Sequence, residues 1–139
     1  MEQKDYVNYK QAKCLKELGF DWECGHYWIL DTPIKKVHSN GYFNHNISHE
    51  ALSSPTLAQA QKWLREIKGI HLSIRAGERN DIFPGRFYWK ETHLPNSQEK
   101  GEQWIEWWIS GRHPWFDTYE DALSDGISKM LELIINKIN

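Results

Sequence analysis

The chain has 139 residues, 40% hydrophobic and 26% charged, with a formal net charge of −2. These are the proportions of a folded globular protein with a full core, not of a disordered segment, and the length corresponds to one domain. The slightly negative balance argues against a bulk electrostatic grip on a long nucleic acid or an anionic membrane, and the two cysteines, Cys14 and Cys24, supply neither a disulfide framework nor a four-ligand zinc site.

The opening "MEQKDYVNYK" has no apolar stretch of signal-peptide kind, and no run approaches membrane-spanning length, so a soluble, cytoplasmic protein with reduced thiols is expected. "NYKQAKCLKELGF" then predicts a helix over 8–19. Asn8 stands as N-cap with Gln11 three residues on, Ala12, Leu15 and Leu18 recur at helical spacing, and Gly19 closes it. "HYWILD" is a candidate strand at 26–31. Residues 32–54, with Pro33, Gly41, asparagines and three histidines, read as an irregular excursion. Thr56 and Gln59 repeat the capping device, predicting a helix over 56–68.

From there the period changes from 3.6 to 2. Strands are predicted at 69–76, 86–91 and 103–110, separated by the turn-rich "GERNDIFPG" and "HLPNSQEKG". Thr118 and Asp121 cap a last helix over 118–136, which Gly126 weakens. The expectation is an α+β fold in a single domain: a meander of three or four antiparallel strands with three amphipathic helices packed on one face.

Three strings, "NYKQAKCLKELGFD", "SPTLAQAQKWLREIKGIHLSI" and "FDTYEDALSDGISKMLELI", resemble a group of small proteins from Bacteroidetes genomes and their phages. The resemblance covers about half of the chain and rests on capping and packing patterns. It implies a phage or mobile-element setting, and it brings no catalytic residues.

The alternation sorts the strands into two faces. Ile70, Leu72, Ile74, Phe87, Trp89, Ile105, Trp107 and Ile109 form an apolar face for the helices to cover. The opposite face collects His71, Arg75, Arg86, Tyr88, Trp104 and Trp108, with Arg112 and His113 at the exit of the last strand. Four of the eight tryptophans fall in "EQWIEWWISGRHPWF" alone. Aromatic planes among cations suit ligands with a flat ring and negative charge, since bases stack on Trp or Tyr while guanidinium groups fork onto phosphate. Burial is the first account of such a face, as a second core under residues 20–50 or as the seam of a homo-oligomer, with ligand binding the alternative to it.

Other signals are weaker. His38, His45 and His49 are the nearest approach to a metal cluster, but "HNISH" has poor helix formers between its imidazoles and no further ligand at convincing spacing. No glycine-rich phosphate loop or nucleophile elbow is present, and no cofactor is expected. The function expected is non-enzymatic binding, on the aromatic and basic face, of a small nucleotide-like molecule or a host protein. One form of that reading is an inhibitor of host defence that sequesters a signal. The alternatives are a metal-dependent hydrolase using the 38–50 histidines, and an assembly protein with tryptophan interface anchors.

Overall fold

A computed structural model describes residues 5–76, 87–93 and 116–138. The fold is α+β, with three α-helices and antiparallel sheets among the described residues. In chain order the elements are α1 (Tyr9–Glu17), β1 (Cys24–Ile29), β2 (Thr32–Phe43), a 3-10 turn (His45–Ile47), β3 (Ala51–Ser53), α2 (Leu57–Lys68), β4 (Ile70–Ala76), β5 (Phe87–His93) and α3 (Tyr119–Ile138). Where length corresponds to one domain, the packing divides into two compact units. One comprises the described residues up to Ala60 together with those from Ser128 onward; the other lies between Gln61 and Ile127. No helix among the described residues is long and apolar enough to cross a membrane.

In the first unit, α1 is delimited by its own sequence. Asn8 Oδ1 accepts from the Gln11 N–H at 2.8 Å, and Gln11 Oε1 accepts from the Asn8 N–H at 2.8 Å, so two orphan donors of the first turn are satisfied reciprocally. At the other end Gly19 takes φ +92°. The N–H groups of Gly19 and Phe20 then reach back to the carbonyls of Lys16 and Leu15, a Schellman closure that a residue with a Cβ adopts only under strain. Ala12, Leu15, Phe20, Trp28, Leu52 and Leu131 are buried in this unit.

Its sheet has the order β2-β1-β3. Strand β1 overlaps the candidate at 26–31 but runs from Cys24 to Ile29, with Leu30 and Asp31 in the turn that follows. The irregular stretch expected over 32–54 is corrected: it holds a twelve-residue strand, a 3-10 turn and a short strand. Pro33 and Gly41 misled because β2 is an edge strand, where a missing N–H or a bend leaves no central ladder bond unmade. Asn46 ties the region together. Its Oδ1 accepts from the Ser53 N–H at 2.8 Å and its Nδ2 donates to the Phe20 carbonyl at 2.9 Å.

In the second unit, β4 and β5 pair antiparallel with Ile74 opposite Trp89 and Arg75 opposite Tyr88. Ile70, Leu72 and Trp89 are buried, as the alternation predicts, while Ile74 and Phe87 are half-buried. Gly126 of α3 lies against Leu72 and Trp89, and Trp89 Nε1 donates to Asp125 Oδ2 at 2.9 Å. Phe116, just before α3, exchanges both backbone hydrogen bonds with Phe87. The predicted strand 103–110, with Ile105, Trp107 and Ile109, lies outside the described residues. The observed strands therefore divide between two antiparallel sheets, with β1 in the first unit rather than beside β4.

Candidate functional site

Alternation along β1 sends His26 and Trp28 to one face of the first sheet and Tyr27 and Ile29 to the other. The register with β2 sets His38 directly across from His26, and Lys36 directly across from Trp28. Cross-strand partners share a face, so these four side chains form a two-by-two patch. Tyr6, in the segment before α1, lies over it. Its ring is 4.2 Å from that of His26, and Lys36 Nζ sits 4.3 Å from its centroid. The same Nζ is 5.7 Å from the Trp28 ring, and the His26 and His38 rings are 4.6 Å apart.

The patch is tied to the segments beneath it. Trp28 Nε1 donates to the Val7 carbonyl at 3.3 Å, and Tyr9 meets the indole edge-on at 5.9 Å. Tyr6 is anchored through a backbone bridge to Thr56, and the Val7 N–H donates to the Pro55 carbonyl at 3.0 Å.

Two nitrogens of the patch stand out. Lys36 Nζ and His26 Nδ1 are buried without a hydrogen-bond partner among the described residues. Buried polar atoms are nearly always satisfied, so each such atom calls for an explanation. Burial pushes the Lys36 ammonium below the usual lysine range. Burial, then the adjacent His38 and Lys36, push His26 below the usual histidine range. Ring faces return about 0.5–2 kcal/mol to a cation, less than the several kcal/mol lost when it is stripped of water. His38 is exposed, so the patch opens to solvent on that side. Its Nδ1 lies 2.7 Å from the Ser39 carbonyl, which only accepts; the proton is therefore on Nδ1, and Nε2 is left for a further partner.

An ammonium, two imidazoles and aromatic walls are the kinds of groups that can receive an anionic group with a flat moiety attached. Sequence reasoning passed over His26, Trp28, Lys36 and Tyr6. The signal was present in "HYW" and "KVH", two strands with polar or aromatic residues at alternate positions about the tight Leu30–Asp31 turn, where Asp31 takes φ 64°.

Of the face expected on the second sheet, His71, Arg75 and Tyr88 lie on one side of β4–β5, with Ser73 and Lys90 between them in the register. Arg75 and Lys90 are exposed, and His71 and Tyr88 are half-buried. Arg86, Trp104, Trp108, Arg112 and His113 lie outside the described residues.

The three candidate metal histidines are dispersed. His38 belongs to the patch, whereas His45 stacks on Tyr27, 4.6 Å away on the opposite face of β1, with its Nε2 donating to the Cys24 carbonyl at 3.2 Å. His49 is exposed in the turn that follows. No group of three or more His, Cys, Asp or Glu residues among the described residues is placed to hold a metal ion. Burial raises both thiols, Cys14 and Cys24, above their ordinary range, which suits packing rather than nucleophilic roles. No protein-family model, curated protein or solved structure matches the chain.

Proposed function

We propose that the chain is a binding protein for a small anionic molecule carrying a flat group, nucleotide-like in its chemistry, seated on the Tyr6–His26–Lys36–His38 patch. The observation that carries this reading is the pair of buried, unpartnered nitrogens, Lys36 Nζ and His26 Nδ1. A phosphate or carboxylate oxygen accepts from both and restores the hydrogen bonding that burial removed. The exposed His38 ring offers the flat group a stacking surface. In the phage or mobile-element setting implied by the resemblance, such a protein would act by sequestering a host signal. A thermal-shift screen of mono-, di- and cyclic nucleotides tests it: a ligand that binds only the native state raises the melting temperature as its concentration passes the dissociation constant. Lys36→Met should abolish the shift. A shift of undiminished size in that variant would place the ligand elsewhere.

The second sheet supports a second reading. Arg75 faces Tyr88 across β4–β5, a guanidinium beside a phenol on a solvent-side face that normally carries small polar groups. In this reading the nucleotide shift survives Lys36→Met and is lost in Arg75→Ala.

A further inference from the structure

We propose that Lys36 is a carbonyl trap: a small aldehyde or ketone bearing a phosphate or carboxylate docks on the patch and forms a reversible imine with Nζ. This rests on the reading of the patch as an anion site and names the chemistry of its occupant.

Lysines that serve as nucleophiles are those held among apolar walls or beside other cationic groups, so that the neutral amine is reached without strong base. Lys36 meets the first condition. Its Nζ lies against the faces of Tyr6 and Trp28, and His26 and His38 occupy the neighbouring cross-strand pair. Neither a carboxylate nor a hydrogen-bond acceptor among the described residues engages it to hold the ammonium form. Burial lowers the proton affinity of Lys36 and of His26 alike, so the imidazole stays neutral at neutral pH and is available as a base.

The chemistry closes without a further reagent. The ammonium gives a proton to His26, and the freed amine attacks the carbonyl carbon. One amine proton passes to the carbonyl oxygen, giving a neutral carbinolamine. Imidazolium then returns its proton to the hydroxyl, which leaves as water, and the nitrogen lone pair closes the C=N bond. The product is a protonated imine with the same charge as the starting ammonium, so the ring faces that held the cation hold it still. Addition of water reverses the sequence.

Pyridoxal phosphate, which carries ring, phosphate and aldehyde, is a suitable probe, and pyridoxine phosphate is its alcohol counterpart that cannot form an imine. The full chain is treated with pyridoxal phosphate and cyanoborohydride near pH 7, and the reduced adducts are mapped by peptide mass spectrometry. Lys36 should be modified at least tenfold faster than the exposed Lys13, Lys62 and Lys90, and Lys36→Arg should lose that adduct. Labelling spread evenly over the exposed lysines would overturn the proposal. Pyridoxine phosphate separates the two levels: a thermal shift by it with no Lys36 adduct sinks the imine and leaves the anion site standing. No shift by it and no adduct removes the site as well.

Discussion

Gly126 and Leu72 approach so closely that a Cβ on the glycine would stand 2.8 Å from Leu72 Cδ1, and 3.0 Å from Cγ of the Trp89 ring. The glycine that weakens the last helix in isolation is thus what lets that helix meet β4 and β5. Alanine there gains about 1 kcal/mol of helix propensity but overpacks a full site, which costs about 1–3 kcal/mol. Gly126→Ala should therefore destabilise modestly, measured as a lower urea midpoint at unchanged slope. In a Leu72→Ala background the approach to Leu72 Cδ1 is gone and only the 3.0 Å approach to Trp89 Cγ remains, so the same change should be less destabilising. A stabilising effect in the wild-type background would show that Leu72 has room to move.

Asn46 should be the most sensitive residue of "HNISH", although its neighbours carry the look of a metal motif. It closes two backbone gaps at once, to Ser53 and Phe20. Asn46→Ala leaves both groups without that partner and should cost about 2 kcal/mol. Asn46→Asp keeps the acceptor for Ser53 but brings a carboxylate up to the Phe20 carbonyl, so it should not restore stability. His49→Ala, at an exposed position, should melt within a degree or two of wild type.

What was legible in the sequence was local. Caps act over three residues, as with Asn8 and Gln11, and strand alternation repeats every two, so the helices and the buried face of Ile70, Leu72 and Trp89 follow from short windows. The patch is a product of pairing. His26 meets His38, and Trp28 meets Lys36, only after a register with irregularities on both sides is set, and Tyr6 arrives from a segment outside the sheet. Strand β2 also hides its nature: as an edge it tolerates Pro33 and Gly41 and carries polar side chains, so the period-2 apolar signal is nearly silent. On the second sheet, His71, Arg75 and Tyr88 share one side of β4–β5, as a period of two dictates.

Acid should weaken the fold before the carboxylates titrate. Burial holds His26 and His45 below the ordinary histidine value of 6.5, with His38 and Lys36 adding to the effect at His26. The unfolded chain then binds protons that the native state refuses, so this contribution is fully present above about pH 6.5 and is lost as pH falls through the folded values. Urea midpoints should decline from pH 6.5 toward 5.5. His26→Gln should shallow the decline. A midpoint rising toward pH 5.5 would mean that the imidazolium forms of these residues are favoured in the native state.

Lys36 allows stability and function to be pulled apart. Its ammonium is stripped of water, lies against Tyr6 and Trp28, and has no hydrogen-bond partner among the described residues, so it weakens the fold at neutral pH relative to an apolar side chain of similar length. Methionine fills the same space without the charge. Lys36→Met should stabilise by about 1 kcal/mol, which for a chain of this size raises the melting temperature by roughly 3–5 °C. The same variant should lose the ligand-dependent shift. That pairing, a more stable protein that no longer binds, is what a site residue kept at a cost to the fold predicts, because a purely structural lysine would destabilise when removed. Calorimetry of both proteins, with and without the nucleotide that gives the largest shift on wild type, measures the two effects together. A lower melting temperature for Lys36→Met would make Lys36 part of the packing. Binding that persists in the more stable variant would transfer the site to Arg75 and Tyr88 on the second sheet.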